Sequence, residues 1–424
     1  MLKKLISALL IILAMLFCFV ACDDSSSSKK PSFDAKSTPL TLENIGNDSL
    51  IVTITISGFG PDEANMKYSI DGGNMQEIPS TGMPFIEVEA GKTISFYGDR
   101  AENASSQAKT ISIACSSACY VYGNVMSLIT STDFESNTSL EKYAYAFKGL
   151  FRNNTKLKLH ESKELVLPAQ TLAPHCYAEM FYGCEGLNKA PALPATNIAE
   201  YCYSSMFSGC NALEKAPALP ATTLKNNCYD GMFSDCEALK EAPKLPATEL
   251  AGYCYNAMFN GCTALTKSPA LPATELTEYC YHRMFNGCEA LLEAPALNAT
   301  SLAKNCYDGM FYGCIELSSA PEILPAETLQ DHCYSVMFAG CRSLTKAPKL
   351  PAKTLANDCY EGMFVECSKI SYIECLATTT ATNATSSWTE GVSSSGKFIK
   401  ASDATFWETG RNGIPSGWET VDAE

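Results

Sequence analysis

Cys254-Tyr255-Asn256-Ala257-Met258-Phe259-Asn260-Gly261-Cys262-Thr263-Ala264-Leu265 is one copy of a unit that decides how this chain folds. The pattern Cys-Tyr-x-x-Met-Phe-x-x-Cys-x-x-Leu/Ile begins at Cys176, Cys202, Cys228, Cys254, Cys280, Cys306, Cys333 and Cys359. The steps are 26 residues, except the 27 from Cys306 to Cys333, where Ile323 interrupts the usual Ala-Pro-x-Leu-Pro. A fixed period of this length predicts stacked supersecondary units that bury a continuous core between neighbours, not a single globular core. Such a stack offers one long repeated surface, and such surfaces usually bind partners.

Within one copy, Thr248 is placed to cap a helix, and Leu250, Cys254 and Met258 fall at i, i+4 and i+8. Tyr255 and Phe259 add a second such line, which predicts one apolar face of a short helix closed at Gly261. Residues 264–271 read as a short parallel strand of about three paired residues, stopped by Pro272, because proline donates no ladder bond. The expected fold class is an α/β solenoid, a leucine-rich-repeat-like array of short strands and short helices behind a small all-β sandwich domain.

The rest of the chain is organised around that array. Lys3-Lys4, the apolar run Leu5–Val20 and Val20-Ala21-Cys22 read as a lipoprotein signal over 1–21, with a mature chain lipidated at Cys22. Several acyl chains on Cys22 would hold the protein to a membrane without a span, since each buried methylene contributes about 0.8 kcal/mol. Residues 22–38, with four serines in a row, form a flexible tether. Residues 39–130 carry β-branched alternating runs at 49–56, 67–70, 85–90, 93–97 and 110–113, and Asp71-Gly72-Gly73 signals a hairpin. The array spans 140–376, with a degenerate first copy in which Leu150-Phe151 stands for Met-Phe and Asn154 for the second Cys. Residues 377–424 hold Trp388, Trp407 and Trp418, and read as a terminal cap or as a saccharide-stacking platform.

Sixteen of the 21 cysteines sit in the two repeat columns. Export favours disulfides, but two cysteines eight residues apart on a helix are about 12 Å apart. A disulfide needs its Cα atoms within roughly 7 Å, so buried free thiols fit better. Cys115 and Cys119 leave both pairing and free thiols open.

At this point the residues resemble a known family. Met-Phe-x-Gly-Cys-x-x-Leu followed by Leu-Pro-Ala is similar to the BspA-like leucine-rich repeats of bacterial surface proteins, over about 140–376. Tyr68-Ser69-Ile70-Asp71-Gly72-Gly73 and Gly413-Ile414-Pro415-Ser416-Gly417-Trp418 resemble segments that flank such arrays. The resemblance implies display at the cell surface, on the outer membrane, and in some members adhesion to host proteins or other bacteria. It carries no catalytic residues. Asp235 and Glu366 replace the Gly before the second Cys, and Asn298 replaces a Pro, which predicts local turn changes.

Function follows as an expectation. A net charge of −15 argues against nucleic acid as partner. His160, His175, His282 and His332 form no metal pair and do not recur with the repeat, so neither catalysis nor a cofactor is expected. Specificity is expected at positions that vary between copies. Two residues after the column Leu stand Lys189, Lys215, Glu241, Lys267, Glu293, Ser319 and Lys346, a mixed row on the strand face. It reads either as a binding surface for a host or bacterial protein or glycan, or as a solvated face. The Tyr column from Tyr177 to Tyr360 reads as core, with a glycan ladder as the sharper alternative. The competing role is a coat or spacer of the cell envelope.

Overall fold

In a computed structural model, residues 33–59, 63–80, 83–102 and 108–424 are described. The export signal read over 1–21 and the lipidation expected at Cys22 lie outside them. The body formed by Asp34–Glu424 is strand-rich at its two ends and built of stacked turns between them.

Eight strands come first: β1 (Leu40–Asn44), β2 (Leu50–Ser57), β3 (Lys67–Ile70), β4 (Gln76–Glu77), β5 (Phe85–Val88), β6 (Thr93–Tyr97), β7 (Thr110–Cys115) and β8 (Cys119–Asn124). In β2, Leu50, Val52 and Ile54 are buried while Ile51, Thr53 and Thr55 are not, the alternation that a one-sided sheet requires. Asp71 and Gly72 both take positive φ (51° and 69°), and Gly73 N donates to Ile70 O at 2.8 Å. This is the tight hairpin turn that the Asp-Gly pair favours. One sheet runs β8-β1-β6-β3-β4, and another runs β5-β2-β7.

The sheet does not stop at β8. β9 (Leu157–Leu159) and β10 (Leu165–Val166) from the start of the array pair with it in parallel. A third sheet closes the far end: β11 (Tyr372–Cys375), β12 (Lys397–Lys400) and β13 (Glu419–Asp422), all parallel.

The expected helices are absent. The one helical segment among the described residues is a 3-10 turn at Val125–Leu128, outside the repeats. In place of each helix the chain makes overlapping tight turns. Cys176, Ala178, Met180, Tyr182 and Cys184 each donate their amide to the carbonyl three residues back. The residues between them, His175, Tyr177, Glu179, Phe181 and Gly183, donate instead to Glu200, Cys202, Ser204, Met206 and Ser208 in the next copy. Half of the amides therefore close turns and half join neighbouring rungs, so no i→i−4 ladder forms. Every fourth residue has positive φ: His175 (57°), Glu179 (57°) and Gly183 (68°). Positive φ at the third position of a turn is the type II requirement, and a helix cannot contain it. The same triplet recurs from Tyr145, Gly149 and Asn153 through Asn383, Ser387 and Gly391, which makes ten rungs.

The strand side is shorter than expected. Consecutive rungs meet there in isolated parallel bridges, among them Lys215↔Glu241, Glu241↔Lys267 and Glu293↔Ser319. A second line of bridges runs through Thr171↔Asn197, Thr223↔Glu249 and Thr328↔Thr354. The prolines between these lines keep each pairing to single residues.

The turn changes expected at Asp235 and Glu366 do not occur. Both keep the positive φ of the glycine they replace, at 59° and 60°.

Packing explains the conserved letters of the unit. Cys, Tyr, Met, Phe, Cys and Leu of each copy point inward and are almost fully buried. Rings in the Phe column stack on one another at 5.5–6.0 Å from Phe151 to Phe364. Those in the Tyr column do so at 5.7–6.0 Å from Tyr177 to Tyr360. Stacked aromatic pairs add about 0.5–1.5 kcal/mol each beyond the area they bury.

Candidate functional site

The repeated surface begins with how the interior is closed. All described cysteines are free thiols, and the repeat cysteines are fully buried. Those of the second column act as donors: Cys210 Sγ lies 3.2 Å from Phe181 O, Cys236 Sγ 3.1 Å from Phe207 O, and Cys262 Sγ 3.1 Å from Phe233 O. The same contact recurs up to Cys367. Burial pushes the thiols of Cys176, Cys184, Cys254 and Cys306 up to about 12. A thiol held that far from its thiolate is a packing group and a poor nucleophile.

The array has a direction. The inter-rung bonds of the turn face run from the N–H of one rung to the carbonyl of the next. The carbonyls of the first rung and the amides of the last therefore have no neighbouring rung to meet and need other partners. Arg100 answers the first need: its Nη1 donates to Ala146 O at 2.9 Å, and its Nη2 to Ala144 O at 3.2 Å and Lys109 O at 2.7 Å. Ile113 N in β7 donates to Leu150 O at 2.7 Å. Asn154, in the second Cys place, accepts from Cys115 N and donates to Ile113 O, each at 2.7 Å.

The expected binding row lies outside this frame. Lys189, Lys215, Glu241, Lys267, Glu293, Ser319 and Lys346 are all exposed. The bridges put several of them in register, so Lys215, Glu241 and Lys267 alternate in sign along consecutive rungs. Lys189 pairs with Glu161 at 2.5 Å, and Lys346 sits 4.9 Å over the Tyr372 ring. The row is thus bridged in register at three of its steps and is chemically mixed. The Tyr column is interior, at 1–2 % exposure, which removes it as a ligand-stacking face.

A second row was not foreseen. The residue just before each first-column Cys, and before Ala146 in that place of the first rung, takes positive φ and faces outward: Tyr145, His175, Tyr201, Asn227, Tyr253, Tyr279, Asn305, His332 and Asp358. Tyr145, His175 and Tyr201 stack at 4.6 Å, with planes 6° and 8° apart, and Tyr253 stacks on Tyr279 at 4.5 Å. Burial, with Lys148 nearby, lowers the His175 pKa. The signal was present in the residue types, since Asn, Asp and His are the side chains that enter the left-handed region most readily. The His175-Cys176 and His332-Cys333 pairs have this origin.

Among the described residues, no three His, Cys, Asp or Glu side chains are placed to hold a metal ion, and no helix is long and apolar enough to cross a membrane. A scan against protein-family models and searches of curated proteins and of solved structures return no match for this chain.

Proposed function

We propose that this protein is a lipid-anchored, surface-displayed binding protein whose repeated array engages a protein or glycan partner without catalysis. The observation that carries the reading is the exposed row Lys189, Lys215, Glu241, Lys267, Glu293, Ser319 and Lys346. Its side chains change from rung to rung while the inward columns repeat almost without change. A surface that varies over a frame that does not is how stacked-repeat proteins set specificity. The resemblance to BspA-like surface repeats and the signal read at Cys22 support display outside the cell. The non-catalytic role is supported by thiols whose ionisation burial opposes.

The test is a variant with Lys189, Lys215, Lys267 and Lys346 changed together to Ser. Attachment of bacteria displaying it to host or bacterial surfaces is expected to fall about tenfold, with an unchanged melting temperature. Equal attachment by the variant would reject the row as the binding face. A coat or spacer role is the second reading, supported by the unpaired outer edge of β13. It predicts concentration-dependent self-association in sedimentation, with no saturable foreign ligand.

A further inference from the structure

The last rung is where the two ring columns end. Thr385 and Thr389 stand where every earlier rung from Cys176 has Tyr and Phe, and Trp388 stands in the Met column, its backbone accepting from Phe364 N at 2.9 Å. The Trp388 ring covers both columns, at 6.1 Å from Tyr360 and 6.0 Å from Phe364, and the small side chain of Thr385 leaves space beside it. Trp407 fills part of it by stacking on Trp388 at 5.5 Å, and Phe406 lies 4.4 Å from Trp407. The loop 408–414 covers part of the rung end. Asn412 Oδ1 accepts from Ser387 N at 2.8 Å, Arg411 O from Thr389 N at 3.2 Å, and Gly413 O from Trp388 Nε1 at 2.9 Å.

What remains is a cleft of about 370 Å³ between rung and loop, lined by Thr380, Thr385, Phe406, Glu408, Arg411 and Asn412 among others. That volume lies within the range of small-molecule sites. Three features bear on its ligand. The wall is aromatic and the rest of the lining is hydroxyl, amide and charge, which suits a sugar ring with its apolar face and polar rim. The array ends here on its N–H side, and among the described residues the amide of Thr385, which lines the cleft, has no acceptor. An unpaired amide favours an anion, and the Arg411 cation lines the same cleft, as does the Glu408 carboxylate that a bound anion must avoid. The Trp407 Nε1–H is closed off from solvent and has no partner. An unpaired buried donor costs about 1–3 kcal/mol, so a small shift of the Trp407 ring that lets it reach an acceptor oxygen in the cleft would be favoured.

We infer that this terminal cleft is a binding site for an acidic sugar, a pyranose carrying a carboxylate, at the end of a glycan chain. It is separate from the exposed row, so either site can fail without the other. The side chain of Arg411, paired with Glu390 at 3.6 Å, would exchange that partner for the sugar carboxylate.

The experiment is a titration of the full chain with glucuronate, N-acetylneuraminate and glucose, followed by the indole N–H resonance of Trp407 labelled with nitrogen-15. Acidic sugars are expected to shift that resonance saturably and to bind about tenfold tighter than glucose. Phe406→Ala and Arg411→Ala are each expected to weaken binding about tenfold while the melting temperature holds. No shift with any sugar would overturn the site, and equal binding of glucose would overturn its preference for an acid. Unchanged affinity in both variants would place the ligand elsewhere. Because the four-lysine variant keeps this cleft intact, its loss of attachment with retained sugar binding separates the two surfaces.

Discussion

Cys210 Sγ donates to the carbonyl oxygen of Phe181 at 3.2 Å, one rung back, and that same carbonyl accepts the amide of Cys184 at 3.0 Å. The second cysteine column is therefore a line of hydrogen-bond donors that sews each rung to the one before. Cys210→Ala loses the bond and leaves a small void, and is expected to cost about 1–2 kcal/mol, read as a shift in the urea midpoint. A thiol reagent should label Cys210 only after unfolding, and rapid labelling of the native protein would contradict its burial.

The hydroxyls of Tyr177, Tyr229 and Tyr334 are buried without a partner. Tyr229→Phe removes one of them and keeps the ring stacked at 5.8 Å between Tyr203 and Tyr255. The expected effect is a stabilisation of about 1 kcal/mol, seen as a higher melting temperature. A clear loss of stability would mean that this hydroxyl holds a bound water.

Positive φ makes the position before the second Cys selective. Gly209 has φ 73°, and a Cβ there would come 3.4 Å from Gly183 Cα. Gly209→Ala is expected to cost about 1–2 kcal/mol. Asp235→Gly, at φ 59°, should gain about 1 kcal/mol. The pair is measured by thermal unfolding, and the two shifts must have opposite signs.

Alkali should unfold the array cooperatively. Each repeat thiol ionises near 9.0 when free and is pushed up by burial, to about 12 for Cys176, Cys254 and Cys306. The buried tyrosines move the same way. Between those values the unfolded chain has released protons that the folded chain still holds. Stability is therefore complete below pH ~9 and falls as pH rises toward ~12. A melting temperature constant from pH 8 to pH 11 would contradict this.

The period and the inward columns were legible in the residues, because burial repeats with the letters. The helix was not. Cys254 and Met258, or Tyr255 and Phe259, lie four apart both in tandem turns and on a helix face. Over nine residues a period of 4.0 cannot be told from one of 3.6. The discriminating signal was Gly231, Gly309 and Gly362, each just before the column Met in three copies. There a helix would lose about 1 kcal/mol per glycine, whereas a positive-φ turn position loses nothing. The mixed row was found because it varied. The stacked row at Tyr145, His175 and Tyr201 was missed because its logic is backbone conformation, which hydrophobic patterning does not report. The terminal cleft lies beside Thr385, where a ring is absent, and it becomes visible only once the rungs are aligned in space.

The extra residue at Ile323 is absorbed entirely on the bridge side, where its side chain is 39 % exposed. Across the same step Tyr307 N still meets Cys333 O at 3.1 Å, and Phe311 still stacks on Phe338 at 5.5 Å. The two flanks of the coil thus have different tolerances. The turn face is a ruler whose graduations cannot move, and the opposite flank is slack that can be lengthened one letter at a time. Insertions and new side chains can accumulate there and reshape what the molecule touches, without altering the pitch at which it is wound.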